Sequence, residues 1–205
     1  PLYHFLPGTA VLSISTSGCN LRCKNCQNWN ISQFKPEETQ NADLMPEEVV
    51  KNALELGSKS IAYTYGEPNI FYEYMLDSSK LAKKAGLRNV SVTAGYINEK
   101  PLRKLCRYLD ASNIDLKGFT EEFYVKVTEA RLKPGLDSIK ILKDEGVWFE
   151  VTNLIVPTLS DDEGLYREMV KWLFKNVGPD HPVHISRFHS AYKLTHLPAT
   201  SVGLL

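Results

Sequence analysis

The stretch Val11-Leu-Ser-Ile-Ser-Thr-Ser-Gly-Cys-Asn-Leu-Arg-Cys-Lys-Asn-Cys26 sets the terms for the rest of the chain. Val11 to Thr16 alternate apolar and small polar side chains, the period of a β-strand. Directly behind that strand stand Cys19, Cys23 and Cys26 in a C-x3-C-x2-C spacing. Three thiolates on one short loop reach three corners of an iron–sulfur cube, whereas a [4Fe–4S] cluster held wholly by protein uses four cysteines. With three, one iron keeps an open coordination position, as a catalytic metal site does. A zinc knuckle or a set of small buried residues are the competing readings. Zinc fingers favour two ligand pairs well separated in sequence, and no second pair is present here.

Downstream of the loop the chain falls into a repeated strand–helix beat. After polar, irregular Gln33 to Asp43, Pro46 with Glu47 and Glu48 marks a helix start, and Gly57 ends that helix near Leu56. Strands are expected at Ser60–Tyr63, Asn89–Thr93, Ser112–Leu116, Val147–Ile155 and Pro182–Ser186. Helices are expected at Asn69–Ala85, Pro101–Leu109, near Glu121–Val127 and at Gly135–Glu145. Ser160-Asp-Asp-Glu163 reads as a capping box opening a last helix to about Asn176. Such alternation predicts an α/β fold with parallel strands and right-handed crossovers. Either an open doubly wound sheet or a curved, partly closed barrel satisfies it, and in both the chemistry gathers at the carboxyl ends of the strands.

Reactive residue types do cluster there. The first strand leads into the cysteine loop, the second into Tyr65-Gly66-Glu67-Pro68, the third into Thr93-Ala-Gly95. Asp115 and Lys117 share one face of the fourth, Asn153 lies on the fifth, and Arg187 and His189 follow the sixth. Taken singly, each has a plain alternative: Gly-Glu-Pro is a common turn, and Asp115 with Lys117 is a satisfied internal ion pair. His181, His184 and His196 are read as structural histidines, His4 as uninformative, and Trp29 as core or rim packing.

Length and composition set limits. A chain of 205 residues fits one domain, 1–205. Beginning at Pro1, it is read as an excerpt of a longer protein lacking its N- and C-terminal segments. Twenty-four basic side chains balance 24 acidic ones, so no global field attracts nucleic acid or anionic lipid. Clustered cysteines do not make a disulfide framework, and Cys106 sits at a core position of a helix; a reducing, cytoplasmic setting follows. No run of residues is apolar enough to span a membrane.

C-x3-C-x2-C after a first strand with G-E-P after a second resembles the radical S-adenosylmethionine (SAM) superfamily. The likeness runs from Phe5-Leu-Pro-Gly-Thr9 to His184-Ile-Ser-Arg-Phe-His189. It looks closest to the pyruvate formate-lyase activating enzyme group, and within it to the AmmeMemoRadiSam-system radical SAM proteins, through Cys26-Gln-Asn-Trp29, Tyr63-Thr-Tyr-Gly-Glu-Pro68 and Ser186-Arg-Phe-His189. The resemblance implies a partial (β/α)6 barrel whose [4Fe–4S] cluster reductively cleaves SAM to a 5′-deoxyadenosyl radical that abstracts hydrogen. By position it implies Cys19, Cys23 and Cys26 as cluster ligands, and Gly66, Glu67, Thr93, Asp115, Lys117, Asn153 and His189 around SAM. It also implies a flavodoxin or ferredoxin as low-potential electron donor and a glycyl-radical protein as hydrogen donor. A small-molecule substrate, or a non-catalytic iron–sulfur electron-transfer or binding module, is the alternative. Three positions depart from the pattern: Asn25 replaces the usual aromatic against adenine, Tyr65 replaces the first glycine of G-G-E, and Val92 replaces an aspartate of a monovalent-cation site.

Overall fold

The structure is a computed structural model that describes residues 2–204; Pro1 and Leu205, the ends of the expected domain, lie outside the described residues. Six strands, β1 (Val11–Ile14), β2 (Ser60–Tyr63), β3 (Arg88–Thr93), β4 (Ala111–Asp115), β5 (Trp148–Ile155) and β6 (Val183–Arg187), form one sheet. They pair in sequence order, and every pair is parallel. That order decides between the two expected architectures. A doubly wound sheet reverses direction at a switch point, whereas winding one way throughout builds a barrel wall. Because β1 and β6 remain unpaired edges, the barrel is partial.

Among the described residues, seven α-helices accompany the strands: α1 (Trp29–Ser32), α2 (Pro46–Glu55), α3 (Tyr72–Lys84), α4 (Glu99–Cys106), α5 (Glu121–Phe123), α6 (Leu132–Asp144) and α7 (Glu163–Val177). Their starts follow local chemistry. Pro46 occupies the first turn of α2, where its missing N–H costs nothing, and the Glu48 carboxylate accepts from Met45 N at 2.8 Å. Several starts differ from expectation: α4 begins at Glu99, ahead of Pro101, and α6 at Leu132, ahead of Gly135. Pro68 opens a 3₁₀ turn over Pro68–Phe71, so α3 begins at Tyr72 and not at Asn69. The cap of α7 is Asp162, whose side chain accepts from Leu165 N. Ser160 is drawn away because its hydroxyl accepts from Val156 N and donates to Leu154 O, closing the turn behind β5.

Strand alternation sorts side chains between two layers. Ile61, Tyr63, Ile114, Phe149 and Val151 face the helices and pack on Val49, Met75, Leu105, Leu142 and Met169. Each such buried side chain contributes about 1.5–3 kcal/mol relative to exposure. Cys106 belongs to this core at 6% exposure, as its helical position implied. The opposite faces, including Ser13, Ala62, Val92, Asn113 and Thr152, line a common lumen. Among the described residues, no helix is long and apolar enough to cross a membrane.

Candidate cofactor site at the barrel mouth

The cysteine loop is held from several sides. Gly18 N donates to Ile31 O at 2.9 Å, which folds the loop back on α1, and Gly18 takes φ +103°, a conformation suited to glycine. Behind α5 a π-helical turn, Tyr124–Thr128, presents two carbonyls to the loop: Arg22 N donates to Thr128 O at 2.9 Å and Lys24 N to Val127 O at 2.8 Å. Irregular turns of this kind recur at functional sites. Loop and barrel are thus tied by main chain, while Leu21 N donates to Cys19 Sγ and Ser32 Oγ meets Cys26 Sγ at 3.1 Å.

Cys19, Cys23 and Cys26 line one cavity of about 450 Å³. All are free thiols. Three thiols on one short loop are the soft donor set that an iron–sulfur cluster takes. Burial pushes the Cys23 thiol up to about 12 despite the nearby Lys117 ammonium, and burial raises Cys19 as well.

Glu67 is 3% exposed and faces the same cavity. Its carboxylate accepts from Thr93 Oγ1, from Asn69 Nδ2 at 2.6 Å and from Ala94 N at 2.8 Å. Burial nevertheless raises its pKa, the hydrogen bonds only limiting the rise. A cationic ligand group would offset that burial. Thr93 supports the carboxylate and itself accepts from Gly95 N. At Gly66 a Cβ would fit only tightly, 3.1 Å from the carbonyl oxygens of Thr16 and Gly18.

Asp115 and Lys117 form the expected ion pair at 2.8 Å, with about 30% of each side chain exposed to the cavity. Burial would pull the Lys117 ammonium down, but Asp115 and Cys23 together hold it above its ordinary value. Asn113 Nδ2 donates to the other Asp115 oxygen at 2.9 Å, and Thr152 donates to Asn113 Oδ1 at 2.7 Å, so a polar row lines the lumen below. Arg187, the last residue of β6, and His189, just after it, reach the mouth.

Asn153 is the one expected site residue that is not brought to the mouth. Strand alternation sends its neighbours Thr152 and Leu154 to the lumen and turns Asn153 to the helices. There its Nδ2 donates to Leu116 O at 2.6 Å and its Oδ1 accepts from Tyr166 at 2.7 Å, so both polar atoms are engaged away from the mouth. Trp29 lies on the rim, stacked on Tyr192 with ring centroids 5.6 Å apart. Tyr65 holds φ +65°, the left-handed conformation that a glycine would take without strain. Asn28 Nδ2 bonds its carbonyl at 2.9 Å and fixes it there. Sequence reading missed Asn69, although a side-chain amide two residues after a carboxylate at a helix start is a recognisable signal.

Three thiols and a buried carboxylate line the mouth of this partial parallel barrel, and a sequence profile of the Radical SAM superfamily, a class of barrel enzymes, matches residues 13–173. The chain belongs to that superfamily, whose cofactors are a [4Fe–4S] cluster and SAM. Over 205 residues it is 45% identical to an uncharacterized protein of Methanocaldococcus jannaschii, of whose length it spans 61%. It is 26% identical over 182 residues to the pyruvate formate-lyase-activating enzyme of Clostridium pasteurianum, covering 84% of this chain and 73% of that one. A radical SAM methyltransferase from Sphaerobacter thermophilus superposes with a TM-score of 0.71 at 14% identity, over 98% of this chain and 62% of that one. Streptococcus suis SuiB bound to S-adenosylmethionine gives 0.68 at 14% identity, over 93% and 43%. Such identities speak for the fold alone.

Proposed function

We propose that Cys19, Cys23 and Cys26 hold a [4Fe–4S] cluster and that the chain directs radical chemistry at a glycyl-radical protein. The observation that carries the site assignment is convergence: three free thiols, the buried Glu67 and the Asp115–Lys117 pair line one cavity. Supplied with an electron from a flavodoxin or ferredoxin, the bound cluster and SAM provide a 5′-deoxyadenosyl radical as hydrogen-abstracting agent. Glu67 receives the methionine ammonium, the charge its buried carboxylate lacks. Lys117 and His189 serve the SAM carboxylate and ribose, and Asp115 orients Lys117 while accepting from a ribose hydroxyl. Thr93 and Gly66 act beneath them, one holding Glu67 and the other letting backbone approach the ligand. Support for the glycyl-radical target comes from the activating-enzyme relative.

A second reading, a small-molecule hydrogen donor, is favoured by a lumen cavity of about 570 Å³ below the mouth that shares Gly66, Val92, Asp115 and Thr152 with it. Anaerobic reconstitution with iron and sulfide, followed by reduction in the presence of SAM, is expected to release 5′-deoxyadenosine. Failure of a fully loaded protein to do so sinks the assignment. A stable glycyl radical signal on an added partner separates the first reading from the second.

A further inference from the structure

A second set of metal-type donors stands at the other end of the strands. Glu150 lies near the start of β5 and His184 near the start of β6, whereas the cysteine loop follows the end of β1. His4, in the segment that crosses the barrel floor, completes the group, and one ligand atom from each side chain lies within 4.8 Å of the other two. Glu150 is fully buried. Its Oε1 is engaged by His4 N at 2.8 Å and Trp148 Nε1 at 3.4 Å. Its Oε2 accepts from Tyr3 N at 3.0 Å and also faces His184 Nε2 at 2.6 Å and His4 Nδ1 at 3.5 Å.

A carboxylate oxygen offers two lone-pair sites. With Tyr3 N on one, the other is left for two imidazole nitrogens, which hydrogen bonding cannot serve equally. A single cation satisfies all three donors at once. The geometry points to a divalent metal site of zinc type at His4, Glu150 and His184, separate from the cluster. Two imidazoles and one carboxylate are a borderline donor set that suits zinc better than magnesium or calcium. Donors about 2.1 Å from a tetrahedral ion lie about 3.4 Å apart, close to the 3.5 Å between His4 Nδ1 and Oε2. The His184 contact has to open by roughly 0.8 Å to reach that separation; its side chain is 19% exposed and its ring packs against Tyr3 and His4. His4 is 54% exposed and leaves the fourth position to water. The ion ties the N-terminal segment to β5 and β6. Phe5, Leu6 and Pro7 of that segment line the lumen cavity from below, so the metal closes the cavity floor.

The test uses the anaerobically reconstituted protein, so that iron occupies the thiolates, incubated with zinc, desalted and analysed for both metals. About one zinc per chain is expected beside the cluster. His4→Ala and His184→Ala are each expected to weaken zinc binding roughly tenfold or more, since even outer-shell changes cost that much, with iron content unchanged. Amide exchange over residues 2–9 should slow on adding zinc to the parent protein and not to either variant. Glu150 is buried, and replacing it endangers the fold; the exposed His4 therefore carries the decision. Zinc absent from the parent, retained equally by both variants, or lost only when the cysteines are replaced would each overturn the site.

Discussion

Glu67 concentrates the chemistry of the mouth in one side chain. A buried carboxylate fed by four donor groups is geometrically fixed, yet its raised pKa shows that burial still outweighs them. A ligand ammonium stabilises the ionised form, so binding draws the proton off. Binding by SAM should therefore strengthen as pH rises through the Glu67 titration and weaken below it. Glu67→Gln keeps the volume, removes the charge and leaves Ala94 N facing an amide. A charged hydrogen bond is worth about 1.5–3 kcal/mol, so SAM affinity of the cluster-loaded variant is expected to fall roughly ten- to a hundredfold, with its pH dependence flattened. Equilibrium binding across pH checks both, and a variant that binds like the parent removes Glu67 from the ammonium site. That Glu67, Asp115 and Lys117 line one cavity was legible because charge after a strand needs a reason. Asn153 misled because a side-chain amide serves an internal hydrogen-bond network as readily as a ligand, and only strand phase tells which.

At the scale of elements, the turn between β5 and α7 shows what local pattern reading overlooks. Ser160-Asp-Asp-Glu163 has the capping-box letters, yet the box does not form. Ser160 is 8% exposed and spends its hydroxyl on Val156 N and Leu154 O. Asp162 does the capping. Two substitutions separate these roles. Asp162→Ala should cost about 1 kcal/mol, the ordinary loss of an N-cap. Ser160→Ala leaves Val156 N buried without a partner, a loss of about 1–3 kcal/mol, and loosens the strand end that presents Leu154 to the mouth. Urea denaturation of the two variants would measure the difference, and a costlier Asp162→Ala would restore the capping-box reading. The strands were legible to within about two residues because short apolar runs bounded by turn residues stand out, although β2 and β4 are buried on both faces and show no strict alternation. Helix starts slipped where a proline or a competing hydroxyl redirected the backbone.

For the whole molecule, alternation announced α/β architecture, but strand order alone chose the barrel, and order is a non-local property. The floor cluster was illegible for the same reason: His4, Glu150 and His184 meet across separations of 146 and 34 residues, and nothing in their neighbourhoods signals it. The cysteine loop was legible as a motif, while its electrostatics belong to the assembled barrel. Cys19 and Cys23 pack against Leu21, Phe123, Val156 and Phe188, contributed by the loop itself, α5 and the segments after β5 and β6. That burial lifts the Cys23 thiol from 9.0 to about 12 and raises Cys19 with it. Unfolding releases the shift, so the metal-free protein favours protonated thiols more than its unfolded chain does. Its stability is fully present below about pH 9 and is lost as pH climbs toward 12, by at most roughly 1.4 kcal/mol per pH unit for each such thiol. Ligation replaces the proton by iron and abolishes that dependence. Cys106, also pushed to about 12 by burial, contributes equally to both forms. Thermal unfolding from neutral to alkaline pH should therefore show the apo-protein losing stability faster than the cluster-loaded protein. Parallel losses would mean that these thiols are exposed in solution and that the barrel mouth does not close over the loop as described.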